Sequence, residues 1–151
     1  MPTTVNGLDE LRALAGTDLG HSSWLEITQE RVDRFADATD DHQWIHVDPE
    51  RAADGPFGGA IAHGHLTLSL VIPLFSEILV IEGVSVSVNY GMNKVRFIAP
   101  VPVGSRIRLA ATVAEVTDVP GGVQLVVDNR IEIEGQDKPA GAAQCVYRYL
   151  T

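Results

Sequence analysis

The sequence predicts an α+β fold in which an antiparallel sheet wraps one buried helix. Three observations lead there. Residues 66–81 form a mainly apolar stretch that contains Pro73 and Glu77. That stretch is shorter than the ~20 residues a membrane span needs, so it reads as a helix packed within protein. After Gly83 the hydrophobic period changes from helical to two, the signature of half-buried strands. Glycine and proline pairs then punctuate the strands at short intervals, as hairpins require.

The elements follow in order. Leu8, Leu11, Leu14 and Ala15 suit a short helix over 8–15 stopped by Gly16. His21 to Ile27 reads as a strand. Thr28 is placed to cap a helix carrying Val32, Phe35, Ala36 and Thr39 at helical spacing, with Glu30 in its first turn. Asp40 to His46 is a polar, irregular stretch. Asp48 and Pro49 suit the cap and first position of one more helical turn, to Ala53. Gly55, Pro56, Gly58 and Gly59 mark a loop, and the apolar helix is expected over 64–81. Val86, Val88, Tyr90 and Met92 alternate, while Val95 and Phe97 follow the other parity; the slip near Asn93 and Lys94 implies a bulge or a break between strands. Further strands are expected around Ile107–Val113, Val123–Ile133 and Ala143–Tyr149, with Pro120-Gly121-Gly122 as a hairpin. This is the hot-dog arrangement, expected here as a single domain over 1–151. Its sheet leaves a free edge strand, and pairing that edge between two copies protects it, so a homodimer is expected.

Composition narrows the function. With 11 Lys and Arg against 20 Asp and Glu the net charge is −9. No basic run is present, which argues against nucleic acid or an anionic membrane as partner. The single Cys145 cannot form an internal disulfide, and the first twenty residues carry Asp9, Glu10 and Asp18 in place of an apolar leader core. Both features point to a reducing compartment, the cytoplasm.

Four groups of residues could carry chemistry. Asp41 and His46 on the irregular stretch could share one water as an acid/base pair. From spacing alone the plainer reading is a turn-capping Asp and a His on a wet loop, because both residues are common in loops. His63-Gly64 opens the apolar helix, whose first N–H groups lack internal partners and could hold an oxyanion; the other reading is a tight turn that needs glycine. Ser69, one turn inside that helix, is a small packing or hydrogen-bonding residue, since no G-x-S-x-G elbow surrounds it. Lys94 and Arg96, with Arg106 and Arg108, are either solvated cations of the sheet or anchors for a phosphate. A metal site built from Asp41, His42, His46, His63 and His65 is not expected, because neither H-E-x-x-H nor a Cys pair is present.

Taken together, Ala38-Thr-Asp-Asp-His-Gln-Trp-Ile-His46, Phe57-Gly-Gly-Ala-Ile-Ala-His-Gly64 and Lys94-Val-Arg-Phe-Ile-Ala-Pro-Val-Pro-Val-Gly104 resemble the MaoC-like dehydratases. The single-domain (R)-specific enoyl-CoA hydratases are the most similar members, over about residue 20 to the end. The resemblance implies Asp41 and His46 as the catalytic pair. It also implies Gly64 and His63 at the oxyanion and substrate site, Ser69 as a supporting residue, and Gln43 at the position of a family Asn. Asp40 and Trp44 stand where the family has Gly and Pro. The implied reaction is reversible syn addition of water to a trans-2-enoyl-CoA, giving an (R)-3-hydroxyacyl-CoA. No cofactor is implied, because the thioester supplies the activation. An acyl-carrier protein is an alternative thiol carrier, with Lys94 and Arg96 as contacts for the carrier phosphate. Two other readings stand beside it. One is a hot-dog acyl-CoA thioesterase with Glu77 as base. The other is a non-catalytic acyl-binding subunit of a dehydratase heterodimer.

Overall fold

The computed structural model describes residues 1–151. The chain begins with β1 (Thr3–Asn6), α1 (Gly7–Arg12), β2 (Asp18–His21), β3 (Leu25–Glu26) and α2 (Gln29–Thr39). Two short helices follow, α3 (Trp44–Val47) and α4 (Pro49–Ala53). The apolar segment supplies α5 (Gly64–Ser69), α6 (Val71–Ile78) and β4 (Leu79–Glu82). The second half is β5 (Val86–Phe97), β6 (Arg106–Val119), β7 (Gly122–Ile133) and β8 (Gly141–Leu150).

The main sheet runs β2-β6-β7-β8-β5, with β3 also on β6, and every pairing in it is antiparallel. Its inner face is a continuous apolar layer: Ile107, Leu109, Ala111 and Val113 of β6, Val123, Leu125 and Val127 of β7, and Ala143 and Cys145 of β8 are all buried. Helices α5 and α6 lie against that layer through Leu66, Val71, Leu74, Phe75 and Ile78. The hot-dog arrangement is thus present, in the α+β class. None of the helices is long and apolar enough to cross a membrane.

The helix expected over 64–81 is shorter and interrupted. Pro73 has no N–H to give the Ser69 carbonyl, and its ring crowds that carbonyl, so the ladder is broken at Leu70. The last three residues of the apolar run, together with Glu82, leave the helix as β4. They pair in parallel with β1, Thr3 opposite Leu79 through Asn6 opposite Glu82. The helix is also open along one stripe, where His65, Ser69, Pro73, Ser76 and Glu77 are exposed.

Elsewhere the local chemistry acts as its residue types dictate. The Thr28 hydroxyl accepts from Arg31 N at 3.1 Å and the Asp48 carboxylate accepts from Arg51 N at 3.2 Å, so both helices are capped. The expected strand 21–27 divides into β2 and β3, with the Ser22 hydroxyl accepting from Leu109 N in the gap. Pro120 and Gly121 make the β6–β7 hairpin, and Gly121 takes φ +80°. The next residue, Gly122, must be glycine for another reason: a Cβ there would run into the Tyr149 carbonyl. The slip near Asn93 is a bulge within one strand. Register on β8 shifts there and again at Tyr90. Strand β5 is the sheet edge and is exposed along nearly its whole length, with Val86, Tyr90, Met92 and Phe97 among the large apolar side chains outside.

Candidate active site

The site is assembled where α2 ends, α3 turns and α5 begins. Helix α2 terminates at Asp40, which adopts the left-handed conformation, φ 60° and ψ 20°. Asp tolerates that region better than most residues, and glycine better still. The reversal brings Asp41 back toward the start of α5. Asp41 is exposed, and Gln43 N points weakly at its carboxylate at 3.4 Å.

His46 is not on a loop but inside the one-turn helix α3, and it is 7% exposed. Its backbone is fixed from two sides: His46 N donates to the Gln43 carbonyl, and the His46 carbonyl accepts from Gln29 Nε2 at 2.8 Å. Its ring is fixed by a third contact, Nδ1 to the Ile61 carbonyl at 2.7 Å. A carbonyl oxygen can only accept, so Nδ1 carries the proton and Nε2 keeps its lone pair. Burial lowers the His46 pKa below the ordinary histidine value; the Ile61 bond and Asp41 oppose this and His63 adds to it.

His63 joins the pair. It is 3% exposed, its ring stacks on His46 at 3.9 Å between centroids, and Phe35 tilts against it at 4.8 Å. His63 Nε2–H donates to the Asp41 carbonyl at 3.0 Å, while Nδ1 has no partner. Donor atoms of Asp41, His46 and His63 lie within 4.8 Å of one another. The two imidazoles nevertheless stack with 23° between their planes. Metal bonds leave an imidazole in its ring plane, so two nearly parallel stacked rings do not converge on one ion.

Beside His46 lies a cavity of about 260 Å³. Gly64, Thr67 and His46 contribute to its wall, and Val95, Ile131, Ala140 and Ala143 make it apolar. The many small residues, Ala62, Ala99, Gly141 and Ala142 among them, are what leave the space open. The Gly64 and His65 N–H groups donate to no backbone acceptor. Phe97 closes the approach: an added Cβ on Gly64 would meet three Phe97 ring carbons at 3.1–3.2 Å, which places the ring face over the glycine.

A model of the MaoC-like domain matches residues 10–135. The chain belongs to the MaoC-like dehydratase family. This MaoC-like dehydratase is a hydro-lyase. It is 52% identical over 148 residues to the 3-hydroxyacyl-thioester dehydratase Z of Mycobacterium tuberculosis, covering 97% of this chain and 98% of that one. It is 43% identical over 143 residues to nodulation protein N of Rhizobium leguminosarum bv. viciae, covering 92% and 88% of the two chains. Its fold matches that of the R-hydratase PhaJ1 of Pseudomonas aeruginosa with a TM-score of 0.76 at 21% identity, covering 95% and 85%. At that identity the likeness is one of fold.

The other residues singled out in the MaoC-like dehydratase sequence fall in different places. Gln43 is exposed at the start of α3, where its carbonyl accepts from His46 N and Val47 N. Ser69 lies on the exposed stripe and donates to the His65 carbonyl at 2.8 Å, outside the cavity that His46 lines. Arg96 lines that cavity, and with Lys94 it borders a shallow depression on the sheet beside Asp128 and Gln144. Trp44 packs over Gly55 under the Arg51 guanidinium and so pins α3 to α4. Glu77 is engaged by Ser23 N and Oγ at 3.0 and 2.7 Å. Gln29, Thr67 and Phe97 were not foreseen. Gln29 and Thr67 carry no motif that would single them out, and Phe97 reads in sequence as one apolar position of a strand.

Proposed function

We propose that the chain catalyses the reversible syn addition of water to a trans-2-enoyl thioester, giving the (R)-3-hydroxyacyl thioester, with coenzyme A as the thiol carrier. The observation that supports this reading best is the fixed tautomer of His46. Its Nε2 keeps a lone pair, a nitrogen of the ring lies within 4.8 Å of an Asp41 carboxylate oxygen, and His46 and Gly64 both line the apolar cavity.

The chemistry follows from that arrangement. The thioester carbonyl accepts from the N–H groups at the start of α5, and the acyl chain lies in the cavity. A water held between Asp41 and His46 attacks the β-carbon. As the C–O bond forms, the double-bond electrons move onto the thioester oxygen and His46 Nε2 takes a water proton. His46 then returns that proton to the α-carbon as the enolate collapses. One group acting on one face makes the addition syn, while Asp41 orients the water and balances the transient imidazolium. The 3-hydroxyacyl-thioester dehydratase at 52% identity is named for the reverse direction of such a step. In this reading Lys94 and Arg96, which border a shallow depression on the sheet, meet the phosphate of the carrier, and an acyl-carrier protein presents the same phosphate. Gln43 borders the water site through its amide, and Ser69 supports the helix.

The unit that acts is a homodimer of single-domain chains in the cytoplasm. Strand β5 offers an unpaired edge with Val86, Tyr90 and Met92 exposed, and the open stripe of α5 and α6 borders it through grooves shared by Ile72 and Asn89.

One assay tests the reading. Crotonyl-CoA is supplied, and the enoyl-thioester absorbance is followed together with free thiol. Loss of absorbance without thiol is expected. Thiol release would make the protein a thioesterase, although Glu77, the base that reaction would call on, is already held by Ser23. No change in either signal would make it an acyl-binding subunit.

A further inference from the structure

Building on the hydratase reading, we propose that His63 is a positioning residue that holds His46 neutral and Asp41 in place.

Three independent contacts carry this. The first is the hydrogen bond from His63 Nε2–H to the Asp41 carbonyl at 3.0 Å, the one tie between the start of α5 and the segment that presents the carboxylate. The second is the stack on His46 at 3.9 Å, which with the Ile61 bond fixes both the height and the rotation of the His46 ring. The third is the tilt of Phe35 against the His63 ring at 4.8 Å, which with an exposure of 3% leaves the ring no room to turn away from His46.

The groups facing His46 are the Asp41 carboxylate, the His63 ring and the Ile61 carbonyl. Asp41 and the carbonyl favour its protonated form, and burial and His63 oppose it. Removing His63 therefore shifts the balance toward protonation and frees the Asp41 main chain. The role differs from that of a ligand contact: the ring is enclosed between His46 and Phe35 and does not line the cavity.

The test uses His63→Phe, which keeps a ring on His46 but loses the donor to Asp41, and His63→Gln, which keeps an amide donor but loses the ring. Nitrogen-15 NMR of the imidazoles reads the tautomer and titration of His46 with no substrate present. In either variant that remains folded by circular dichroism, the His46 titration moves upward in pH. With crotonyl-CoA, kcat falls at least tenfold while KM changes less than threefold, and the acid limb of the rate profile moves upward with the NMR titration. An unmoved His46 titration overturns the proposal, whether or not activity is lost, because His63 would then be structural only. If neither variant folds, His63→Asn is read in the same way. Because the NMR arm needs no turnover, it gives its answer even if the wild-type protein fails to hydrate crotonyl-CoA, a result that would overturn the hydratase reading instead.

Discussion

Replacing His46 by Gln removes the proposed base and a buried hydrogen-bonding ring together, and the two losses can be measured separately. The ring is 7% exposed and its Nδ1–H satisfies the Ile61 carbonyl at 2.7 Å. An unsatisfied buried carbonyl costs about 1–3 kcal/mol. At the sensitivity usual for a chain of this length, that lowers Tm by on the order of 2–12 °C. The fold survives at 25 °C, because the apolar layer under β6, β7 and β8 is untouched. The chemical loss is larger. A positioned acid/base group contributes about 10²–10⁴ in rate, and a hundredfold loss corresponds to ~2.7 kcal/mol of barrier. Crotonyl-CoA hydration should therefore fall at least about a hundredfold in protein that circular dichroism shows to be folded. Asp41→Asn should lose rate on the same scale with a smaller change in Tm, since Asp41 is exposed. In the proposed mechanism both groups act on one water, so the double variant should be little worse than the worse single one. A folded His46→Gln protein that hydrates crotonyl-CoA at close to the wild-type rate would refute the mechanism.

Gly64→Val should leave Tm within a few degrees of wild type, because the Phe97 ring it displaces is more than half exposed and can swing away; the hydration rate should fall sharply as the branched side chain fills the approach to the helix N–H groups. Asp40→Gly should keep activity and shift stability by less than about 1 kcal/mol, whereas Asp40→Val, with a β-branched residue at φ 60°, should lose about 1–2 kcal/mol in a urea melt. The acid limb of kcat/KM should lie below the ordinary histidine value of about 6.5, because burial depresses the His46 pKa and the neutral form is the active one. The same depression contributes stability that is fully present above about pH 6.5 and is lost as pH falls through the folded-state pKa, which Tm measured against pH will follow. Light scattering at micromolar concentration should give twice the chain mass, and a stable monomer would count against pairing through β5.

The architecture was legible because its two signals are long. A period-two pattern over β6, β7 and β8 and an apolar run before it leave few other folds. The β1–β4 ladder was not legible. Each strand is four residues long, and Leu79–Glu82 continues an apolar helical pattern until its pairing partner is known. Propensity alone does not tell a buried helix end from a short strand, and the fate of Pro73 depends on whether the broken ladder is compensated by packing. At the site, spacing offered Asp41 and His46 as one reading among others, and the family resemblance singled them out. The burial of His46 was not, because the carbonyl that fixes its ring belongs to Ile61 and the amide that holds its backbone to Gln29. The stack of His63 on His46 and the placement of Phe97 over Gly64 are likewise contacts between distant segments, and no local pattern encodes them.

Cys145, the one thiol of the chain, is 1% exposed in β8, between Val127 of β7 and Met92 of β5, and burial raises its pKa. A thiol that is both hidden and protonated reacts slowly with disulfide reagents. The native protein therefore adds almost nothing to a colorimetric thiol assay, and any prompt colour comes from the substrate. On a longer timescale the same residue becomes a clock. Labelling it requires the helices that cover the inner face of β8 to lift, so the rate at which reagent is consumed reports how often the core opens.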